Sequence, residues 1–287
     1  MKPAPFDYAA PRSIGEAVAL LADPDRDAKV LAGGQSLIPM LGMRLARPEL
    51  LVDVTRVPGL DRLHVDGAGA LHVGASVRQA RVAADPDVRA GWPLLADAIG
   101  LIGHPPIRHR GTLCGSLVHH DPAAELPAAA LALDARLVVE GPRGRRTVPA
   151  AEFFVATFQT AVEPDELLVE AVFDRTPPRG AAFAELARRH GDFATVGAAV
   201  LLERAADGTV RSARVVFCGA GSTPVRLPAA EDALTGTDAG EAALAAAAAA
   251  VHAHLEPGDD VHASAEYRRE AAAHLLVRAC TEAWERA

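Results

Sequence analysis

The residues that most suggest chemistry are small ones. Gly111-Thr112-Leu113-Cys114-Gly115-Ser116 runs into Leu117-Val118-His119-His120-Asp121-Pro122-Ala123-Ala124-Glu125. Small side chains let a backbone pass close to a ligand. Glycine adds access to positive φ, so successive N–H groups can turn inward as an anion-binding nest. Pro122 opens an expected helix over 123–133, with Glu125 in its first turn, where the helix dipole favours a carboxylate. A second stretch, Lys29-Val30-Leu31-Ala32-Gly33-Gly34-Gln35-Ser36-Leu37, has a similar plan: an apolar strand ends in two glycines, and Gln35 and Ser36 follow as side-chain donors. Two such turns, about 80 residues apart, suggest a two-sided clamp on a diphosphate. Taken alone, each is equally well read as a tight strand-to-helix connection with no ligand. Neither is a Walker A loop, and neither is G-x-G-x-x-G; the nearest approach, Gly219-Ala220-Gly221, has Pro224 at the last glycine position and reads as a loop.

The elements that must position these turns follow from capping and periodicity. Ser13 and Glu16 have capping-box spacing ahead of the apolar stripe Ala17, Leu20 and Leu21. Strands are expected over 29–31 and 50–54, the latter continuously apolar as a buried parallel strand would be. Residues 1–55 therefore form a small β-α-β unit, with 37–45 helical or irregular. Beyond it, short strands over 63–65 and 71–74 precede helices over 77–84 and 92–102. The basic, proline-rich His104-Pro105-Pro106-Ile107-Arg108-His109-Arg110 leads into the second turn and could hold it in place. After the helix over 123–133 come strands over 135–140 and 146–148, a short helix opening at Glu152, and a strand over 166–173. Arg175-Thr176-Pro177-Pro178-Arg179-Gly180 is the expected domain boundary. Past it, 182–187, 196–203 and 210–217 read as three antiparallel strands and 231–234, 241–254 and 265–285 as helices.

Several of these motifs, in this order, resemble the FAD-binding subunit of the molybdenum hydroxylases, the medium subunit of the carbon monoxide dehydrogenase and xanthine dehydrogenase family. The resemblance rests on Ala32-Gly33-Gly34-Gln35-Ser36-Leu37-Ile38-Pro39 and on Thr112-Leu113-Cys114-Gly115-Ser116 with Asp121-Pro122-Ala123-Ala124-Glu125. It extends to Phe6-Asp7-Tyr8, Leu51-Val52-Asp53-Val54, Gly74-Ala75, Arg188-Arg189-His190-Gly191-Asp192-Phe193-Ala194 and Cys218-Gly219-Ala220, and so covers nearly the whole chain. It implies an α+β fold. A two-part FAD-binding domain over 1–176 joins the β-α-β unit (1–55) to a larger mixed α/β subdomain (56–176). A C-terminal domain over 177–287 follows, a three-stranded antiparallel sheet with helices.

The resemblance also implies the site. Backbone N–H groups of Ala32, Gly33, Gly34, Gln35 and Ser36, ahead of Leu37, would wrap the FAD pyrophosphate. Lys29 and Leu31 occupy the strand end bordering the adenine side. Thr112, Gly115 and Ser116 match the second loop, and Asp121 and Glu125 match positions near ribose or ribityl hydroxyls, which suit carboxylate acceptors. Cys114 stands where many relatives have glycine. It implies a negative φ there and is read as a small buried residue in preference to a thiol beside the flavin. His119 and His120 form no metal set, lacking a spaced third ligand; they read as polar loop residues near the cofactor. Phe193 matches a position that is often tyrosine near the isoalloxazine; its alternative is ordinary core packing. No catalytic acid or base and no metal ligand is identified.

Composition narrows the function. The 287 residues exceed one core and favour two domains; the apolar half of the chain is mostly aliphatic, with only 4% aromatics. A net charge of −8 with no long basic run argues against nucleic acid. Met1-Lys2-Pro3-Ala4-Pro5-Phe6-Asp7 lacks a signal peptide's apolar core, and the alanine run at 242–251 is too short and weakly apolar to span a bilayer, so a cytoplasmic location is expected. Three scattered cysteines with no C-x-x-C pair argue against an iron–sulfur cluster or a structural zinc site in this chain. The resemblance therefore implies an electron relay. Partners would be a molybdopterin-containing large subunit and a small subunit with two 2Fe–2S clusters, assembled as a dimer of heterotrimers. Electrons would pass through FAD here to an external electron acceptor. A self-sufficient FAD-dependent oxidoreductase and a non-catalytic nucleotide-binding assembly subunit remain as alternatives. The hydroxylated substrate and the final acceptor are not legible in this chain.

Overall fold

The opening β-α-β unit forms as its periodicity predicts. A computed structural model describes residues 2–175 and 180–287, so the centre of the expected boundary, 176–179, lies outside the described residues. Strand β1 (Asp7–Ala9) leads to helix α1 (Ile14–Leu21), strand β2 (Ala28–Leu31), helix α2 (Leu37–Gly42) and strand β3 (Leu50–Asp53). The three strands pair in parallel in the order β1-β3-β2. The central place of β3 explains its unbroken apolar run: Leu50, Leu51 and Val52 are buried. At α1, Ser13 Oγ accepts the Glu16 N–H at 3.1 Å. The reciprocal bond shifts one residue back, with the Glu16 carboxylate accepting the Arg12 N–H at 2.7 Å. Helix α1 buries Ala17, Val18 and Leu21.

Next come β4 (Leu63–Val65), β5 (Leu71–Gly74), α3 (Gln79–Ala84), α4 (Pro86–Gly91), α5 (Pro93–Leu101), α6 (Pro105–Arg110), α7 (Leu113–His119) and α8 (Glu125–Ala132). Two of these correct the sequence reading. Helix α4, capped by Asp85 with Pro86 in its first turn, was not expected. The proline-rich lead-in to the second turn is itself the short helix α6. Then β6 (Arg136–Gly141), β7 (Gly144–Pro149), α9 (Ala150–Phe153), β8 (Phe154–Ala156), β9 (Gln159–Thr160) and β10 (Leu167–Phe173) complete the N-terminal part. Strands β4-β5-β10-β6-β7 form one antiparallel sheet, and β8 and β9 pair as a separate hairpin.

The C-terminal sheet is β11 (Gly180–Ala187), β12 (Ala194–Arg204), β13 (Val210–Cys218) and β14 (Val225–Arg226), followed by α10 (Pro228–Leu234), α11 (Glu241–His254) and α12 (Ala265–Glu285). It has four antiparallel strands, not the expected three, because Val225–Arg226 adds a short edge pairing with Val216 and Phe217. Even-numbered residues of β12 from Val196 to Leu202 enter one core with α10, α11 and α12. The opposite face meets α5 and α8. Burial on both faces explains why these strands show no polar alternation.

Two compact units result, and they are discontinuous in sequence. One comprises residues 1–82, 104–119 and 135–174; the other comprises 83–103, 120–134 and 175–287. The sequence reading divided the chain once, near 176, whereas α5 and α8 pack on the C-terminal sheet because its second apolar face needs cover.

Candidate functional site

Within the first unit the two glycine-bearing turns lie against one another. A Cβ on Gly33 would come 2.6 Å from the Arg110 carbonyl oxygen and 2.7 Å from Gly111 Cα. Glycine at 33 is thus demanded by the neighbouring backbone. Gly34 is demanded by conformation: its φ is +73°, a region L-residues rarely adopt.

The turns differ in their free donors. The N–H groups of Gly33, Gly34, Gln35 and Ser36 donate to no acceptor among the described residues, and all four residues are half-buried. The Gln35 side-chain amide donates to the Gly33 carbonyl at 3.1 Å, closing the turn on its carbonyl side. Ser36 precedes α2 without its hydroxyl capping that helix. Consecutive unpartnered N–H groups are the donor set a diphosphate requires. The FAD pyrophosphate therefore fits this turn.

The second turn is built differently from the first. Four of its donors are used by the fold, at Gly111, Leu113, Gly115 and Ser116, while the N–H groups of Thr112 and Cys114 have no acceptor among the described residues. The Gly111 N–H donates to the Ile107 carbonyl at 2.7 Å, Leu113 N–H to Val77 at 3.2 Å and Ser116 N–H to Thr112 at 3.2 Å. The Gly115 N–H donates to Thr112 Oγ1 at 3.0 Å, and a Cβ at 115 would approach that hydroxyl to 2.5 Å. Residues 113–119 are helical, so no extended nest forms. Buried Thr112 acts as an internal cap, and only Gly115 and Ser116 of this turn are half-exposed.

Sequence reading also missed what holds the second turn. Arg78 bridges to Thr112 as an antiparallel pair, and its guanidinium donates to the Arg110 carbonyl. Gln79 donates its N–H to the Gly111 carbonyl at 2.9 Å. This bridge explains why α3 starts at Gln79 and not at 77.

Lys29 is exposed and Leu31 half-buried, two residues apart on β2 and so on one face. Ala32 and Leu37 flank the first turn. Cys114 is buried, its thiol donates to the Val73 carbonyl at 3.5 Å, and burial pushes its pKa up to about 12. It is a core residue with an unreactive thiol. His119 ends α7 with its ring 5.1 Å from that of Phe158. Sequence reasoning missed Phe158, whose φ is +57° and whose side chain is 55% exposed. A bulky residue held there costs on the order of 1–3 kcal/mol.

The remaining candidates belong to the second unit. Asp121 Oδ1 accepts the Ala123 N–H at 2.9 Å, and its carbonyl accepts the Ala124 N–H at 3.0 Å, an Asx turn leading into α8. Glu125, buried at the start of that helix, has its pKa pushed up to about 8 by desolvation. Glu185 on β11 was not singled out in the sequence; burial raises it to about 7, and its Oε2 has no partner. Phe193 is 61% exposed, which removes the core-packing alternative. Among the described residues no group of three or more His, Cys, Asp or Glu is placed to hold a metal ion, and no helix is long and apolar enough to cross a membrane.

Comparison with known proteins covers the chain end to end. The FAD binding domain in molybdopterin dehydrogenase matches residues 4–173, and the CO dehydrogenase flavoprotein C-terminal domain matches residues 181–283. The subunit alpha of the 6-hydroxypseudooxynicotine dehydrogenase complex of Paenarthrobacter nicotinovorans is 41% identical over 100% of this chain and 97% of its own. The carbon monoxide dehydrogenase medium chain of Hydrogenophaga pseudoflava is 40% identical over 100% and 99%. A solved chain of carbon monoxide dehydrogenase from that organism, lacking the Mo-pyranopterin moiety of the molybdenum cofactor, superposes with a TM-score of 0.95 at 42% identity, covering 100% of this chain and 99% of that one.

Proposed function

The chain belongs to the FAD-binding medium subunits of the molybdenum hydroxylases, and we propose that it carries electrons from iron–sulfur clusters on a companion chain through FAD to an external acceptor. The observation that carries this reading is the row of unpartnered N–H groups at Gly33, Gly34, Gln35 and Ser36. These groups bind and orient the diphosphate, and Lys29 and Leu31 border the adenine side. Ser116 and His119 line the face along α7. Asp121, Glu125 and Phe193 are assigned to the ribityl and isoalloxazine portions by their place in the family pattern. Ala32, Leu37, Thr112, Cys114 and Gly115 shape the two turns from behind. When bound, FAD accepts electrons singly and releases them in pairs, which couples one-electron clusters to a two-electron acceptor.

The companions in this reading are a molybdopterin-containing large subunit and a small subunit with two 2Fe–2S clusters, arranged as a cytoplasmic dimer of heterotrimers. Domains 1–176 and 177–287 correspond to cofactor binding and to the flavoprotein C-terminal part. Relatives named for 6-hydroxypseudooxynicotine and for carbon monoxide share this chain's full length. The substrate is accordingly set on another polypeptide. The test is substrate-dependent dye reduction by the purified chain alone and by the chain with its two companions. The chain alone is expected to bind FAD and to be inert toward hydroxylase substrates, with turnover appearing on assembly. Substantial turnover by the lone chain overturns the relay.

A further inference from the structure

Phe158 sits where its residue type is unfavourable. It is the second residue of the two-residue loop joining β8 and β9, with φ at +57°. That position favours glycine or asparagine. A phenylalanine there is both strained and 55% exposed, so folding alone gives no reason for it.

The base of its hairpin is anchored. Phe153, fully buried, anchors the hairpin base and packs edge-on against Phe154 at 5.3 Å, and its carbonyl accepts the Ala161 N–H at 2.8 Å. Arg146 donates to the Ala161 carbonyl at 2.5 Å and pairs with the buried Glu166 at 2.6 Å. The hydrogen bond from Arg146 holds the Glu166 carboxyl down at about 2. The ring of Phe158 meets that of His119 at 5.1 Å and 38°.

His119 closes α7, whose first residue follows Thr112, and Gly33 packs on that same backbone. From Leu113 to His119 the helix rises about 9 Å. The aromatic pair therefore stands away from the diphosphate turn along α7, while β2 leads away on the adenine side. A ribityl chain has the reach to bring the flavin ring to the pair. We propose that Phe158, backed by His119, is the aromatic wall against which the isoalloxazine of bound FAD packs. This rests on the reading of the first turn as the diphosphate site. A ring fixed by a rigid hairpin offers a preset face at little entropic cost on binding, the reverse of a floppy exposed aromatic.

The test uses the full-length chain and FAD titration. Phe158→Asn keeps a residue that tolerates positive φ and removes the ring. FAD affinity is expected to fall roughly tenfold, the size of an aromatic contact. Flavin fluorescence should rise and the absorbance bands shift, with the thermal midpoint of the FAD-free chain unchanged or higher. Phe158→Tyr should behave as the parent. Wild-type FAD affinity and spectra in Phe158→Asn would overturn the assignment, and weakened companion-subunit binding in that same variant would make Phe158 a docking residue instead. Failure of the parent chain to bind FAD would overturn the diphosphate reading, a separate result.

Discussion

The two glycine-bearing turns of the first unit look alike in sequence and differ in how the fold uses their backbone donors. At Gly33, Gly34, Gln35 and Ser36 the backbone donors have no acceptor in the described fold. At Gly111, Leu113, Gly115 and Ser116 the fold has used the donors. The glycines are required for different reasons: close approach of another backbone at 33, positive φ at 34, and room for the Thr112 hydroxyl at 115. Small-residue content signals only that something comes close. In both turns that neighbour is the protein itself, and the difference lies in which backbone donors are left without an acceptor.

The sharpest way to break this contrast is Gly33→Val. Its side chain would enter the backbone of Arg110 and Gly111, and the expected loss is about 3 kcal/mol or more of stability. Thermal unfolding and FAD content should both fall, because the second turn supports the first. Stability close to that of the parent would mean that the turns are not mutually packed.

Next in size is Gly34→Val, which forces a branched side chain to φ near +73° at a cost of about 1–3 kcal/mol. The turn is expected to re-form with its donors misdirected, lowering FAD affinity at least tenfold while the fold persists. Gly34→Asn should retain most binding, since asparagine tolerates that region. Equal loss in both variants would show that space, not φ, is what position 34 supplies.

Thr112→Ala probes the other turn. It removes the acceptor of the Gly115 N–H, and a lost cap of this kind costs about 0.5–2 kcal/mol. Calorimetry should register that loss, and FAD affinity should stay within about threefold of the parent. A collapse of binding comparable to Gly34→Val would show that the second turn grips the ligand directly.

The smallest effect lies in the second unit and concerns pH. Burial raises Glu185 from 4.5 to about 7, so the folded chain keeps a proton there that the unfolded chain has released. Its contribution to stability is full below about 4.5 and declines as pH rises through about 7. Glu185→Gln should flatten the stability profile across that window in FAD-free protein. An unchanged slope in chemical denaturation at several pH values would remove Glu185 as its source.

Local sequence determined a good deal. The capping pair Ser13 and Glu16, the apolar run Leu50-Leu51-Val52 and the proline and glycine punctuation place the β-α-β unit, because these signals act within a few residues. Ordered motifs along the whole chain carried the family and its cofactor. Only tertiary structure decided the rest. A donor's partner is a long-range fact: Val77 and Gln79 engage the second turn from more than 30 residues away. The Arg78–Thr112 bridge fixes the entry to the helix at 113–119, a pairing that no local signal announces. Likewise Ala156-Thr157-Phe158-Gln159 carries no glycine or asparagine to announce a hairpin. The anchored strands on either side impose positive φ on Phe158, and its value as a rigid aromatic face exists only once the fold has set His119 beside it.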